Sequence, residues 1–131
     1  MYELQRILTS RLPDEPPLVT LREAFISFSS YLEDRRDIIR ARFELVQRNP
    51  ELQARLAQIS DEWVGVVERV LGRHIGLEEP DVRTRLLAAV GVTALRIAVE
   101  NWIESEHATL ASLTRENFRI LEESWSAEVR V

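Results

Sequence analysis

The chain has 131 residues, which suits one domain with a core of its own. With 45% apolar and 30% charged residues it is too apolar for a disordered segment, and without cysteine it excludes disulfides and thiolate metal sites. A net charge of −5 and a pI near 5.1 set it against neutralising phosphates, so no DNA binding by this chain alone is expected.

The first residues, Met1-Tyr2-Glu3-Leu4-Gln5-Arg6, lack a basic start followed by an apolar stretch, and no leader is expected. Leu4, Ile7, Leu8 and Leu12 fall at helical spacing, so Tyr2 to Arg11 reads as a short helix, broken by Pro13-Asp14-Glu15-Pro16-Pro17. A second helix is predicted from about Leu18 to Asp34, with Leu18, Leu21, Phe25, Phe28 and Leu32 as its apolar stripe. A third follows from about Arg35 to Arg48, with Ile38, Ile39, Phe43, Leu45 and Val46 expected inward.

Asn49-Pro50-Glu51 has the chemistry of a helix start: a capping side chain, a ring suited to the first turn, and a carboxylate at the positive end. That helix is predicted to run to Gly72, with Gly72 and Gly76 ending it and Leu52, Leu56, Ile59, Trp63, Val66, Val67, Val70 and Leu71 on one face. Glu79-Pro80-Asp81 starts the next, expected over Pro80 to Ser105. From Leu86 to Val99 that helix is apolar almost all the way round, with Arg96 as the single charge. Such a helix needs cover on most sides, which a second subunit would help supply. Broken by Arg96, the run is read as shorter than the roughly 20 residues that span a bilayer, so no membrane partner is expected. A last helix, Thr109 to Ala127, carries Leu110, Leu113, Phe118, Leu121 and Trp125. No stretch alternates with a period of two, so the fold class is all-α, a bundle of five to six helices.

Three local patterns point further. Arg40-Ala41-Arg42-Phe43-Glu44-Leu45-Val46 precedes Asn49-Pro50-Glu51-Leu52-Gln53-Ala54-Arg55; Trp63 precedes Leu71-Gly72-Arg73-His74-Ile75-Gly76; and Leu86-Leu87-Ala88-Ala89 runs through Ala94-Leu95-Arg96 to Trp102. In this order and spacing, across roughly Leu18 to Leu121, the chain resembles the C-terminal domain of TetR-family transcriptional regulators, in the subgroup named after the mycofactocin regulator. The resemblance implies an effector-binding and dimerisation domain of a cytoplasmic regulator, a repressor by expectation. Its last two long helices would pair with their counterparts in a four-helix dimer interface, and the others would enclose a pocket for an apolar small molecule. The family's N-terminal helix-turn-helix has no counterpart here, and Met1 to Arg11 would match the tail of the helix that leads from it. Operator DNA would be reached only through that missing unit.

Candidate ligand-binding residues are Phe25, Phe28, Tyr31, Phe43, Trp63, Val67, Arg96 and Trp102. The aromatic ones among them also lie on apolar stripes, where packing is the simpler explanation. Arg96 would meet a ligand oxygen, or else form a structural ion pair with Glu62, Glu68 or Glu100, or snorkel along the helix to water. Gly91 and Ala94, with Ala88 and Ala98, form a small-residue seam that suits a close helix crossing, within the subunit or between subunits. Family resemblance favours the latter, so Val90, Gly91, Ala94, Ala98, Phe118, Leu121 and Trp125 are the candidate dimer residues. Glu104 and His107 form a single Glu-x-x-His pair, where a bundle di-metal site needs two and further carboxylates, so no metal is expected. No phosphate loop or nucleophile-base set is present, and neither a cofactor nor catalysis is expected. The competing reading is a helical interaction module with no small-molecule ligand.

Overall fold

The computed structural model describes residues 2–129, with side chains as far as residue 124. All regular elements among them are helical: α1 (Tyr2–Thr9), α2 (Pro17–Leu32), α3 (Arg36–Gln47), α4 (Pro50–His74), α5 (Val82–Glu104) and α6 (Leu110–Val129). One 3-10 turn, Glu33–Arg35, joins α2 to α3.

The helix ends follow local chemistry. The Asn49 side chain accepts from the backbone N–H of Glu51 at 3.0 Å and of Leu52 at 3.4 Å, with Pro50 in the first turn of α4. At the other end Gly76, at φ +89°, places its N–H on the Arg73 carbonyl, and the Leu77 N–H reaches the Gly72 carbonyl at 2.9 Å. This is a Schellman closure, which a residue with a Cβ would strain. Gly72, predicted to end α4, lies inside it and is buried, and a Cβ there would sit 3.6 Å from Pro80. The start of α5 also differs from expectation. Asp81, one residue beyond Pro80, is the cap; its carboxylate accepts from the Thr84 N–H and the Thr84 hydroxyl accepts from the Asp81 N–H, both at 2.9 Å.

Helix α2 lies at the centre, packed by α1, α5 and α6, while α4 runs along α5. Trp102, Phe25, Phe28 and Phe118 are the largest fully enclosed side chains, with Leu4, Leu8, Leu21, Leu71 and Leu110 around them. Each such burial contributes about 1.5–3 kcal/mol. Three details of the predicted stripes change. Leu12 is exposed, beyond the last turn of α1. Leu18 is also partly exposed, and Thr20, Ala24 and Ser29 help fill the α2 interior instead. On α3, Ile39, Phe43 and Val46 are half-buried, whereas Ile38 and Leu45 are 58% and 60% exposed. Ile38 and Leu45 are two turns apart on one line of α3, and that line faces away from α4 and α5.

Helix α5 is 23 residues long and apolar enough to span a bilayer by length and composition, so the sequence-based limit on its length does not hold. Half of its most apolar stretch is buried inside the subunit, against α2, α4 and α6, which accounts for its composition.

Candidate functional site

The inner face of α3 does not close onto α4 and α5. A cavity of about 280 Å³ remains between them, capped by Leu32 at the end of α2. Ile39, Phe43 and Val46 roof it from α3; Leu56, Ile59 and Trp63 form the α4 wall; Val92, Leu95 and Val99 form the α5 wall. Helical periodicity produces each row, since these residues are spaced three or four apart on their helices. Three polar side chains join the lining: Arg42, Ser60 and Arg96. The Arg96 guanidinium pairs with Glu100 at 3.1 Å, one turn further along α5, and both are partly exposed. Behind the wall, Phe28 packs at 5.7 Å from Trp63 and stacks at 5.9 Å on Tyr31, over whose ring the Arg35 guanidinium lies at 4.2 Å.

The chamber opens into a wider vestibule of about 480 Å³. The two share Val46, Leu56, Ser60, Val92 and Arg96. The vestibule adds Gln53, Ala57, Asp61 and Val64 from α4 and Ala89, Thr93 and Glu100 from α5, so it is the more polar of the two. An apolar inner chamber with a polar mouth can hold a molecule with one apolar and one polar end.

A third hollow lies on the far side of α5. It is a groove of about 370 Å³ between α5 and α6, lined by Ala89, Val90, Thr93, Ala94 and Ile97 and by Asn117, Ile120 and Leu121. Among the described residues no charged side chain lines it, in a chain with 30% charged residues. The Asn117 amide donates to the Ala94 carbonyl at 3.0 Å and ties α6 to α5 at the middle of the groove.

The sequence candidates separate cleanly by position. Phe43, Trp63 and Arg96 line the chamber; Phe28 and Tyr31 back it; Phe25, Val67 and Trp102 are interior packing residues that do not reach it. Of the candidate dimer residues, Val90, Ala94 and Leu121 line the α5/α6 groove. Gly91, Ala98 and Phe118 are enclosed within the subunit. A Cβ on Gly91 would sit 2.9 Å from the Phe25 ring, so this part of the small-residue seam serves the crossing of α5 with α2. The Trp125 side chain lies outside the described residues. Among the described residues no three His, Asp or Glu side chains converge as metal ligands would. Sequence patterns had marked Ile39, Val46, Leu56 and Ile59 only as inward-facing, and Arg42 and Ser60 not at all. Nothing in a single helix distinguishes facing a cavity from facing a neighbour.

The family model of the MftR C-terminal domain matches residues 15–126, nearly the whole chain. The chain belongs to the TetR-type MftR C-terminal domain family. No curated protein and no solved structure gave a significant match. TetR C-terminal domains are the effector-binding and dimerisation domains of transcriptional regulators, a family that is in general non-enzymatic, and the all-helical bundle agrees with membership. Within this MftR-type domain, the match spans every described residue that lines the chamber, the vestibule and the groove.

Proposed function

We propose that this MftR-type domain binds an apolar small-molecule effector in the chamber between α3, α4 and α5, and pairs with a second copy through the α5/α6 groove, as part of a cytoplasmic repressor. The observation that carries the proposal is the arrangement around α5. One side of that helix lines an apolar cavity, and the other lines an uncharged groove. Its work is binding: an effector that fits one arrangement of α3, α4 and α5 better than another shifts the balance between them, and the shift is limited by the difference in affinity. Phe43, Trp63 and Arg96 contact the effector, with Phe28 and Tyr31 holding the Trp63 wall. Val90, Ala94 and Leu121, joined by Ile97 and Ile120, form the dimer face.

Native mass spectrometry of the purified chain, under gentle and then denaturing conditions, tests this reading. The expected result is a dimer carrying a co-purified apolar molecule. A ligand-free dimer that also binds no member of a panel of apolar compounds would instead support a plain dimerisation module. A monomer at every concentration would remove the groove from any role in pairing.

A further inference from the structure

The vestibule and the α5/α6 groove are adjacent. Ala89 and Thr93, one turn apart on α5, line both. Around the helix, Val92, Arg96 and Glu100 lie on one side of that edge and Val90, Ala94 and Ile97 on the other. These two small side chains form a ridge that the mouth of the chamber and the groove share. A molecule seated in the groove therefore meets the rim of the vestibule.

We infer that the effector site is completed by the second subunit: the copy that docks in the α5/α6 groove reaches over the Ala89–Thr93 ridge and walls off the open side of the vestibule. This rests on the groove being the dimer face. It assigns to the partner a part in the ligand site itself, beyond holding two chambers together. Three findings favour a second copy as the wall. TetR C-terminal domains in general dimerise, and among the described residues no charged side chain lines the groove, as suits the dry centre of a subunit contact. The polar rim beyond the ridge, with Arg96, Glu100 and Asp61, has the character of an interface edge. A direct consequence is reciprocal linkage: a molecule that uses this wall binds the dimer more tightly than the monomer, and tightens the dimer by the same factor.

Because the chain has no cysteine, single thiols can probe the wall without a ligand. Ala57 lines the vestibule from α4 and is exposed, while Ala41 is exposed on α3 away from both hollows. The full-length Ala57→Cys and Ala41→Cys variants are treated with N-ethylmaleimide across a concentration series, with sedimentation reporting monomer and dimer. The Ala57→Cys thiol is expected to react about tenfold or more slowly in the dimer, since thiol reactivity follows access, and the Ala41→Cys thiol at one rate throughout. Adding Leu121→Glu, which alters the groove and not the vestibule, should restore the fast rate at all concentrations. Gln53→Cys, one turn earlier on the same wall, repeats the measurement if Ala57→Cys itself disturbs pairing. A dimer whose vestibule thiols react at the monomer rate overturns the inference and leaves the dimer reading standing. A chain that never pairs overturns both.

Discussion

Arg36 donates to the Trp102 carbonyl at 3.2 Å and holds its guanidinium 5.9 Å from the centre of the Trp102 indole ring. The same guanidinium also donates to the Ser105 carbonyl. These acceptors belong to the last turn of α5 and its cap, where carbonyls have no helical partner and the helix dipole favours a cation. Since α3 has no fully buried residue, this clamp is its main polar attachment to the rest of the bundle. Arg36→Ala is expected to lower unfolding stability by about 1–3 kcal/mol in urea titrations. It should also speed hydrogen exchange along α3. Arg36→Lys should recover only part of the loss, because one ammonium cannot reproduce the planar fork. Wild-type stability in Arg36→Ala would show that the clamp contributes nothing.

Two glycines inside helices should respond oppositely to alanine. At Gly91 the new Cβ would lie 2.9 Å from Phe25 Cε2 and 3.1 Å from Leu21 Cδ2, two fully buried side chains. At Gly65 it would meet only the end of the Arg69 side chain, at 3.5 Å. Alanine is worth about 1 kcal/mol over glycine in a helix, while overpacking a core costs about 1–3 kcal/mol. Gly65→Ala should therefore raise the melting temperature, and Gly91→Ala should lower it. Equal shifts of the same sign would contradict the packing at the α2–α5 crossing.

The α2–α6 contact contains a buried pair of hydroxyls. Ser29 donates its one proton to the Phe25 carbonyl at 2.7 Å, so across the 2.7 Å contact between the two hydroxyls Thr114 must be the donor. Thr114→Val then removes one bond and leaves Ser29 still donating, at a cost of about 1 kcal/mol. Ser29→Ala strands the Thr114 hydroxyl without an acceptor and should cost more, about 1–3 kcal/mol. The double variant should be less destabilised than the sum of the two, and denaturant titrations of all four proteins give the coupling directly.

How much of this was legible in the sequence depends on the kind of signal. Asn49-Pro50 and Asp81 act on their own neighbours, so the helix starts could be read to within a residue or two. The cavity could not be read residue by residue. Phe43, Trp63 and Phe25 all sit on apolar stripes, and only the distance between α3 and the α4–α5 pair decides which of them borders open space. The seam of Gly91, Ala94 and Ala98 shows the same limit. Small residues announce a close neighbour without naming it, and here α2 takes Gly91 while the groove takes Ala94. Arg96 stands out in the sequence as an isolated charge, yet only the fold selects Glu100 from the three carboxylates within helical reach or across the bundle.

The Asp81 cap should leave a mark on acid stability. The Thr84 N–H, and after it the Thr84 hydroxyl, hold the Asp81 carboxyl below its ordinary pKa. A carboxyl lowered in the folded state stabilises the fold above its unfolded pKa, and that contribution is lost as pH falls through the folded value. Asp81→Asn keeps an acceptor for the cap and cannot titrate. The stability gap between wild type and Asp81→Asn should therefore be widest near neutral pH and narrow as pH falls through the carboxylate range, about 4 and below. Glu3, Glu15 and Glu116 are lowered too, by Arg6, Arg11 and Arg119 respectively, but they are common to both proteins and cancel in the difference. A gap independent of pH, in thermal melts across that range, would mean the Asp81 charge does not matter to the fold.

Val90 and Ala94 line the same groove one turn apart, but they differ in how far they reach solvent. Val90 is 37% exposed, while Ala94 is 5% exposed and lies beneath the Asn117 amide that donates to its carbonyl. Glutamate at position 90 can extend its carboxylate into water in a lone subunit, and it loses that water only when a partner covers the groove. Val90→Glu should therefore give a folded monomer with a melting transition close to that of the wild-type subunit, measured at concentrations where both are monomeric. Glutamate at position 94 has no such path and must push α6 away from α5 or bury its charge. Ala94→Glu should lower the melting temperature of the subunit itself as well as its pairing. Sedimentation and thermal melts on both variants separate the two effects. A dimer of normal affinity in Val90→Glu would move the subunit contact off this groove, and the partner's wall over the vestibule would go with it.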